Sequence, residues 1–173
     1  DLHSFPTRRS SDLLDELQTR LCIESHLIEL GDIARQLGGA LSRAELGAEG
    51  EAQSQAIENA DLLIVATPVY RGSYPGLLKH LFDLVDINGL IDTPVLLAAT
   101  GGSERHALVL EHQLRPLFGF FQALTLPIGV YAVESDFANY QITSEPLKTR
   151  IRLAAERAAP LFGVSAKHLL KTA

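Results

Sequence analysis

Two short loops hold the residues of this chain best suited to chemistry. Thr67-Pro68-Val69-Tyr70-Arg71-Gly72-Ser73 follows the apolar run Leu62 to Ala66, and Thr100-Gly101-Gly102-Ser103 follows a second, Thr93 to Ala99. Backbone N–H groups on a rigid loop can meet the carbonyls and ring nitrogens at the edge of a flat heteroaromatic ring such as an isoalloxazine. Pro68 stiffens the first loop, Gly72 lets the backbone come close, and Tyr70 offers an aromatic wall. An ordinary strand-to-helix connection closed by proline and glycine uses the same residues, and spacing alone leaves the two open. Two such loops after two neighbouring strands converge on one crevice, which a lone glycine pair does not. His106, in the first helical turn beyond Ser103, could reach a ring carbonyl; a solvent-facing helix histidine is the plainer reading.

Other chemistries find no footing. No histidine has His, Cys or Asp partners at metal-ligand spacing, so no metal site is expected. No Gly-x-Ser-x-Gly elbow, P-loop or Gly-x-Gly-x-x-Gly fingerprint occurs, and Ser103 with Glu111 or His106 makes no triad. No side chain is therefore singled out as catalytic, and the expected site is a binding site.

The elements that must position these loops alternate. The continuous apolar runs suit strands covered on both faces. Pro75 opens a helix over Gly76 to Val85, with Leu77, Leu78, Leu81, Phe82 and Val85 on one face. A long helix is expected from Glu104 to Phe121. Within it Pro116 cannot donate to the carbonyl of His112, which predicts a kink or bulge there. Leu108, Val109 and Phe120 lie off its core stripe and would suit an oligomer contact; a tolerated proline kink facing solvent is the other reading. Leu124 to Ala132 reads as the last strand, and Ser144 to Leu161 as the last helix, with Ser144 as cap and Pro146 in its first turn. Upstream, Leu14, Leu17 and Leu21 have helical spacing, and Cys22 to Leu30 reads as an edge strand closed by Gly31-Asp32. Ile33 to Leu41 reads as a short helix or a turn-rich connection, broken by Gly38-Gly39, and Glu49 to Asn59 as a polar helix. Val164 to Ala173 reads as a tail. Strands alternating with helices at these lengths mean an α/β, doubly wound parallel sheet.

Composition narrows the class. The chain has 173 residues, 46% of them apolar, which is enough for one domain with a sizeable core. A formal net charge of −6 argues against nucleic acid and anionic lipid as partners. No apolar run approaches the ~20 residues that span a bilayer, so no membrane segment is expected. The lone Cys22 excludes an internal disulfide and fits the cytoplasm.

Residues Asp1 to Leu13, DLHSFPTRRSSDL, resemble the conceptual translation of a sequencing-adapter oligonucleotide. The expectation is that residues 1–13 are not native and that the domain proper is 14–173. The competing reading is an anion-binding turn at Pro6-Thr7-Arg8-Arg9-Ser10-Ser11, ahead of a helix.

ADLLIVATPVYRGSYPGLLKHLFDLV and TGGSERHALVLEHQLRPLFGFF resemble the NAD(P)H-dependent FMN reductase family of flavodoxin-like fold. The likeness is strongest to the reductases of two-component alkanesulfonate and methanesulfonate monooxygenase systems, with GGS-x-x-H and LEHQLRP nearest the methanesulfonate branch. The resemblance implies a sheet of order 2-1-3-4-5, with FMN and NADH or NADPH as cofactors. It puts the isoalloxazine against Pro68, Val69, Tyr70, Arg71, Gly72 and Ser73, with Thr100, Gly101, Gly102, Ser103 and His106 at its other edge. It makes the helix around His112 the contact of a homodimer or homotetramer, and a flavin-dependent monooxygenase the partner. The family's first strand and Gly-Ser-x-x-x-x-Ser phosphate loop should precede Leu14 and are not found there. A quinone or azo-dye reductase on the same scaffold, a flavodoxin-type electron carrier and an inactive fragment are the alternatives.

Overall fold

The computed structural model describes residues 5–162. Its centre is a parallel sheet. Strand β1 (Leu63–Pro68) pairs with β2 (Pro94–Gly101) in the register Leu63 to Val95 through Pro68 to Thr100. On the far side of β2 lie β3 (Leu124–Thr125) and β4 (Val130–Val133), both parallel to it. The two apolar runs are thus adjacent strands whose carboxyl ends finish level.

β2 explains its own sequence. Val95, Leu97 and Ala99 face one core, and Leu96 and Ala98 face another. A strand buried on both sides cannot alternate with polar residues. The first core is closed by α2 (Leu30–Gly39), α3 (Ala48–Glu58), α4 (Gly76–Leu84) and α5 (Arg115–Phe120). There the rings of Phe82 and Phe118 meet edge to face at 4.8 Å. The second core is closed by α1 (Phe5–Gln18) and α6 (Glu145–Ala158), through Leu13, Leu17, Ile151 and Ala154. The Ser144 hydroxyl caps α6, accepting from the Leu147 N–H at 3.4 Å. An antiparallel pair, β5 (Phe137–Ala138) and β6 (Gln141–Ile142), precedes it.

Several expectations need correcting. Cys22 to Leu30 is not a strand. Its residues find no ladder partner among the described strands, and without one an extended segment gains nothing from strand geometry. His26 instead bonds Gln53 of α3 at 2.7 Å. Gly31-Asp32 lies inside the first turn of α2, and Gly38-Gly39 completes that helix rather than breaking it. The α2 end is held from outside: one ring nitrogen of His80 lies 2.8 Å from the Leu37 carbonyl and 2.9 Å from that of Ala40. The α1 stripe is set one residue early, on Leu13 and Leu17, with Leu21 partly packed and Leu14 half-buried. Residues 164–173, read as a tail, lie outside the described residues.

The single helix expected from Glu104 to Phe121 is three pieces. A 3-10 turn spans Glu104–His106, a π-turn Leu110–Leu114, and α5 follows. The Arg115 N–H reaches back five residues to the Leu110 carbonyl, immediately before Pro116. A proline without an N–H leaves a carbonyl one turn back free, and widening the turn is one way to absorb that.

The last strand is likewise interrupted. Between the pairs Pro94–Leu124 and Ala98–Val130, β2 advances four residues and its neighbour six. Pro127 sits in the excess, where it cannot donate to a ladder. The carbonyls released there are taken by guanidinium groups: Arg115 donates to Leu126 at 2.9 Å and Arg150 to Gly129 at 2.8 Å.

Candidate functional site

The carboxyl ends of adjacent parallel strands form the edge where open α/β sheets bind ligands. Both loops lie there, and one bond joins them: the Val69 N–H donates to the Thr100 carbonyl at 2.7 Å. The ladder between β1 and β2 is thereby extended one step into the loops. Thr67 and Thr100, the polar residues just inside this edge, are buried.

Beyond Val69 the first loop turns back on itself. The Tyr70 N–H donates to the Ser73 carbonyl at 2.8 Å, and the Ser73 N–H returns to Tyr70 at 3.2 Å. The two residues between them have positive φ, 53° at Arg71 and 84° at Gly72. That pattern is the type I′ turn, which favours Asn-Gly and takes arginine at its first corner only with some strain. Arg71 is exposed at the tip, and Tyr70 stands beside it.

The second loop is held at its far end. The Ser103 side chain accepts from the Arg105 N–H at 3.2 Å, and its carbonyl accepts the Tyr131 hydroxyl at 2.6 Å. Burial pushes the Tyr131 hydroxyl above its ordinary range, which keeps it a donor. His106 follows in the 3-10 turn with its ring exposed.

The donors left over define what this edge can bind. Among the described residues, the backbone N–H groups of Arg71, Gly72, Gly102 and Ser103 have no acceptor in the chain. The space beside Gly72 and Gly102 is open, so a flat group could lie against the backbone at both. Donors without strong acids or bases fit the polar edge of a flavin ring, the group expected from the sequence. Pro68, Val69, Tyr70, Arg71, Gly72, Ser73, Thr100, Gly101, Gly102, Ser103 and His106 all belong to this one edge of the sheet.

Two participants had no signal in the loop sequences. Gln113, in the π-turn, accepts the Ser73 hydroxyl at 3.1 Å. Tyr131 lies on β4, 28 residues beyond Ser103 and in neither motif; its hydroxyl in an otherwise apolar strand is the available clue, since a half-buried tyrosine usually has a partner. A separate cleft of about 460 Å³ lies alongside α3 at the end of α4, lined by Arg43, Glu51, Glu58 and Asp86. Arg43 donates to both glutamates there, so its charges serve one another.

The family described as NADPH-dependent FMN reductase matches residues 4–138. The chain is 82% identical over 161 residues to the NADH-dependent FMN reductase SfnF of Pseudomonas fluorescens, covering 93% of this chain and 86% of that one. It is 71% identical over 161 residues to an FMN reductase (NADPH) of Pseudomonas aeruginosa, with the same coverage of 93% and 86%. A solved structure of the apo NADH:FMN oxidoreductase EMOB superposes with a TM-score of 0.77 at 28% identity, covering 91% of this chain and 82% of that one. The chain belongs to the NADPH-dependent FMN reductase family. That membership makes it an NAD(P)H:FMN oxidoreductase with a flavodoxin-like α/β fold.

Proposed function

We propose that this chain seats the FMN ring between loops 67–73 and 100–103, reduces it with NADH or NADPH, and releases reduced FMN to a flavin-dependent monooxygenase acting on a small sulfonate. The Val69–Thr100 bond carries the reading, because it locks two donor-bearing loops into one crevice. Bound FMN supplies hydride acceptance from the nicotinamide. The free N–H groups of Arg71, Gly72, Gly102 and Ser103 orient the ring edge, Tyr70 shields it, and Pro68 keeps the first loop stiff. No proton donor or acceptor of the chain has to act.

The finer architecture belongs to the same proposal. Among the described residues β1 has one strand neighbour, and it is less buried than β2 although equally apolar. A first strand of the order 2-1-3-4-5 would pair at that open edge, bringing the flavin phosphate loop to the same crevice. Of the residues read as an oligomer contact, Leu108 and Phe120 are exposed beside the π-turn while Val109 is buried in the first core; a homodimer or homotetramer contact on this side would therefore use Leu108 and Phe120. No helix among the described residues is long and apolar enough to cross a membrane.

The test is NADH or NADPH oxidation by purified protein with and without added FMN. Oxidation that depends on added FMN, by protein that emerges colourless from gel filtration, supports the reading. Protein that stays yellow and turns over with quinone alone overturns it in favour of a quinone reductase.

A further inference from the structure

We infer that Tyr131 is a positioning residue for FMN, acting through the second loop; this rests on the reading that Thr100 to Ser103 line the flavin. Two observations made on different atoms lead there. The Tyr131 hydroxyl donates to the Ser103 carbonyl at 2.6 Å, fixing the end of the loop. The same hydroxyl also fills the space beside Gly101: a Cβ at residue 101 would lie 2.2 Å from that oxygen and 3.2 Å from the ring carbon that bears it. Gly101 has no positive φ, so its missing side chain answers to this contact and not to backbone conformation.

The arrangement is a latch. β4 pairs with β2 through Ala99 to Tyr131 and Gly101 to Val133, so Tyr131 rises from the neighbouring strand directly beneath the loop. Its ring tip passes over the Gly101 backbone to reach Ser103, two residues on. The loop carbonyl is thereby turned toward β4, and the free N–H groups of Gly102 and Ser103 are left for a ligand. The backbone can hold this course only while residue 101 lacks a side chain and residue 131 carries a hydroxyl.

Tyr131→Phe, Gly101→Ala and the double variant test the latch, read by FMN fluorescence quenching and by steady-state kinetics in FMN. Losing one hydrogen bond to the loop raises the FMN Kd and KM of Tyr131→Phe by about 3- to 10-fold, with kcat at saturating FMN little changed. Gly101→Ala weakens FMN binding more, because the new methyl collides with the hydroxyl. Removing that oxygen relieves the collision, so the double variant binds FMN more tightly than Gly101→Ala alone. An unchanged Kd in Tyr131→Phe overturns the inference, and so does a double variant as weak as, or weaker than, the additive sum. Wild-type protein that shows no FMN quenching at all overturns the placement of the flavin itself, and the latch with it.

Discussion

The Ser73 hydroxyl donates to the side-chain carbonyl of Gln113 at 3.1 Å, joining the tip of the first loop to the π-turn. Gln113 stands where the helix widens ahead of Pro116, so a backbone irregularity delivers the side chain that steadies the loop. Ser73→Ala and Gln113→Leu are each expected to raise the FMN KM by about 2- to 5-fold, and their effects should not add in the double variant. Gln113→Glu keeps an acceptor for the hydroxyl and should stay close to wild type. Additive single effects in KM would show that the two side chains act separately.

At the tip of the turn, Arg71 occupies a left-handed corner that asparagine or glycine fills more easily. Arg71→Asn should therefore leave the melting temperature unchanged or slightly higher. If the cation is kept there to meet an anionic ligand, the same change raises the KM for NADH, NADPH or FMN by about 3-fold at low salt, and by less at high salt. A KM unaffected at any ionic strength removes Arg71 from the site.

Arg43 is the chief polar tie between the helices that flank the first core. It donates to both Glu51 and Glu58, and to the Leu84 carbonyl at 3.0 Å, while Glu58 also accepts from the Asp86 N–H at 2.8 Å. The two carboxylates raise the Arg43 pKa above its already high ordinary value, so it stays charged at any working pH. Arg43→Ala should lower the melting temperature by about 3–8 °C while leaving the FMN KM alone. Arg43→Lys should rescue little, because one ammonium cannot span two carboxylates and a carbonyl. Thermal melts with parallel kinetics check both halves.

Stability should also depend on pH through Glu111. The Arg115 guanidinium bonds its carboxylate at 2.6 and 2.9 Å and holds its pKa below the ordinary value. A carboxyl depressed in the folded state adds stability above its unfolded pKa, and that stability is lost as pH falls through the folded value. Arg115 keeps its charge throughout. Wild type should therefore melt above Glu111→Gln by a constant margin above about pH 5, and the margin should close as pH falls through about 4 and below. A margin independent of pH down to about 3 would assign the effect to packing.

Much of the fold could be read from local pattern. Leu62 to Ala66 and Thr93 to Ala99 lie on neighbouring strands of one sheet, the first half-buried and the second buried, because neither run has a polar face to turn to water. Pro116 announced its π-turn by the hydrogen bond it cannot make. The misread segments were those whose state depends on a distant partner. Cys22 to Leu30 has the residues of an edge strand but, among the described residues, no ladder to join. The α2 end, where the glycines lie, is tied from another helix by His80, which reaches the Leu37 and Ala40 carbonyls. The break between β3 and β4 persists because Arg115 and Arg150 occupy its carbonyls.

The same division runs through the candidate site. Sequence alone shows two donor-rich loops following two apolar strands, and through its motifs the family they belong to. That the loops share a bond at Val69 and Thr100, that Ser73 leans on Gln113, and that Tyr131 lies across Gly101 emerges from the folded chain alone. A loop's composition is a local property of the chain. Its course is set by hydrogen bonds from strands and turns far away in sequence, and those partners become neighbours only once the sheet has formed.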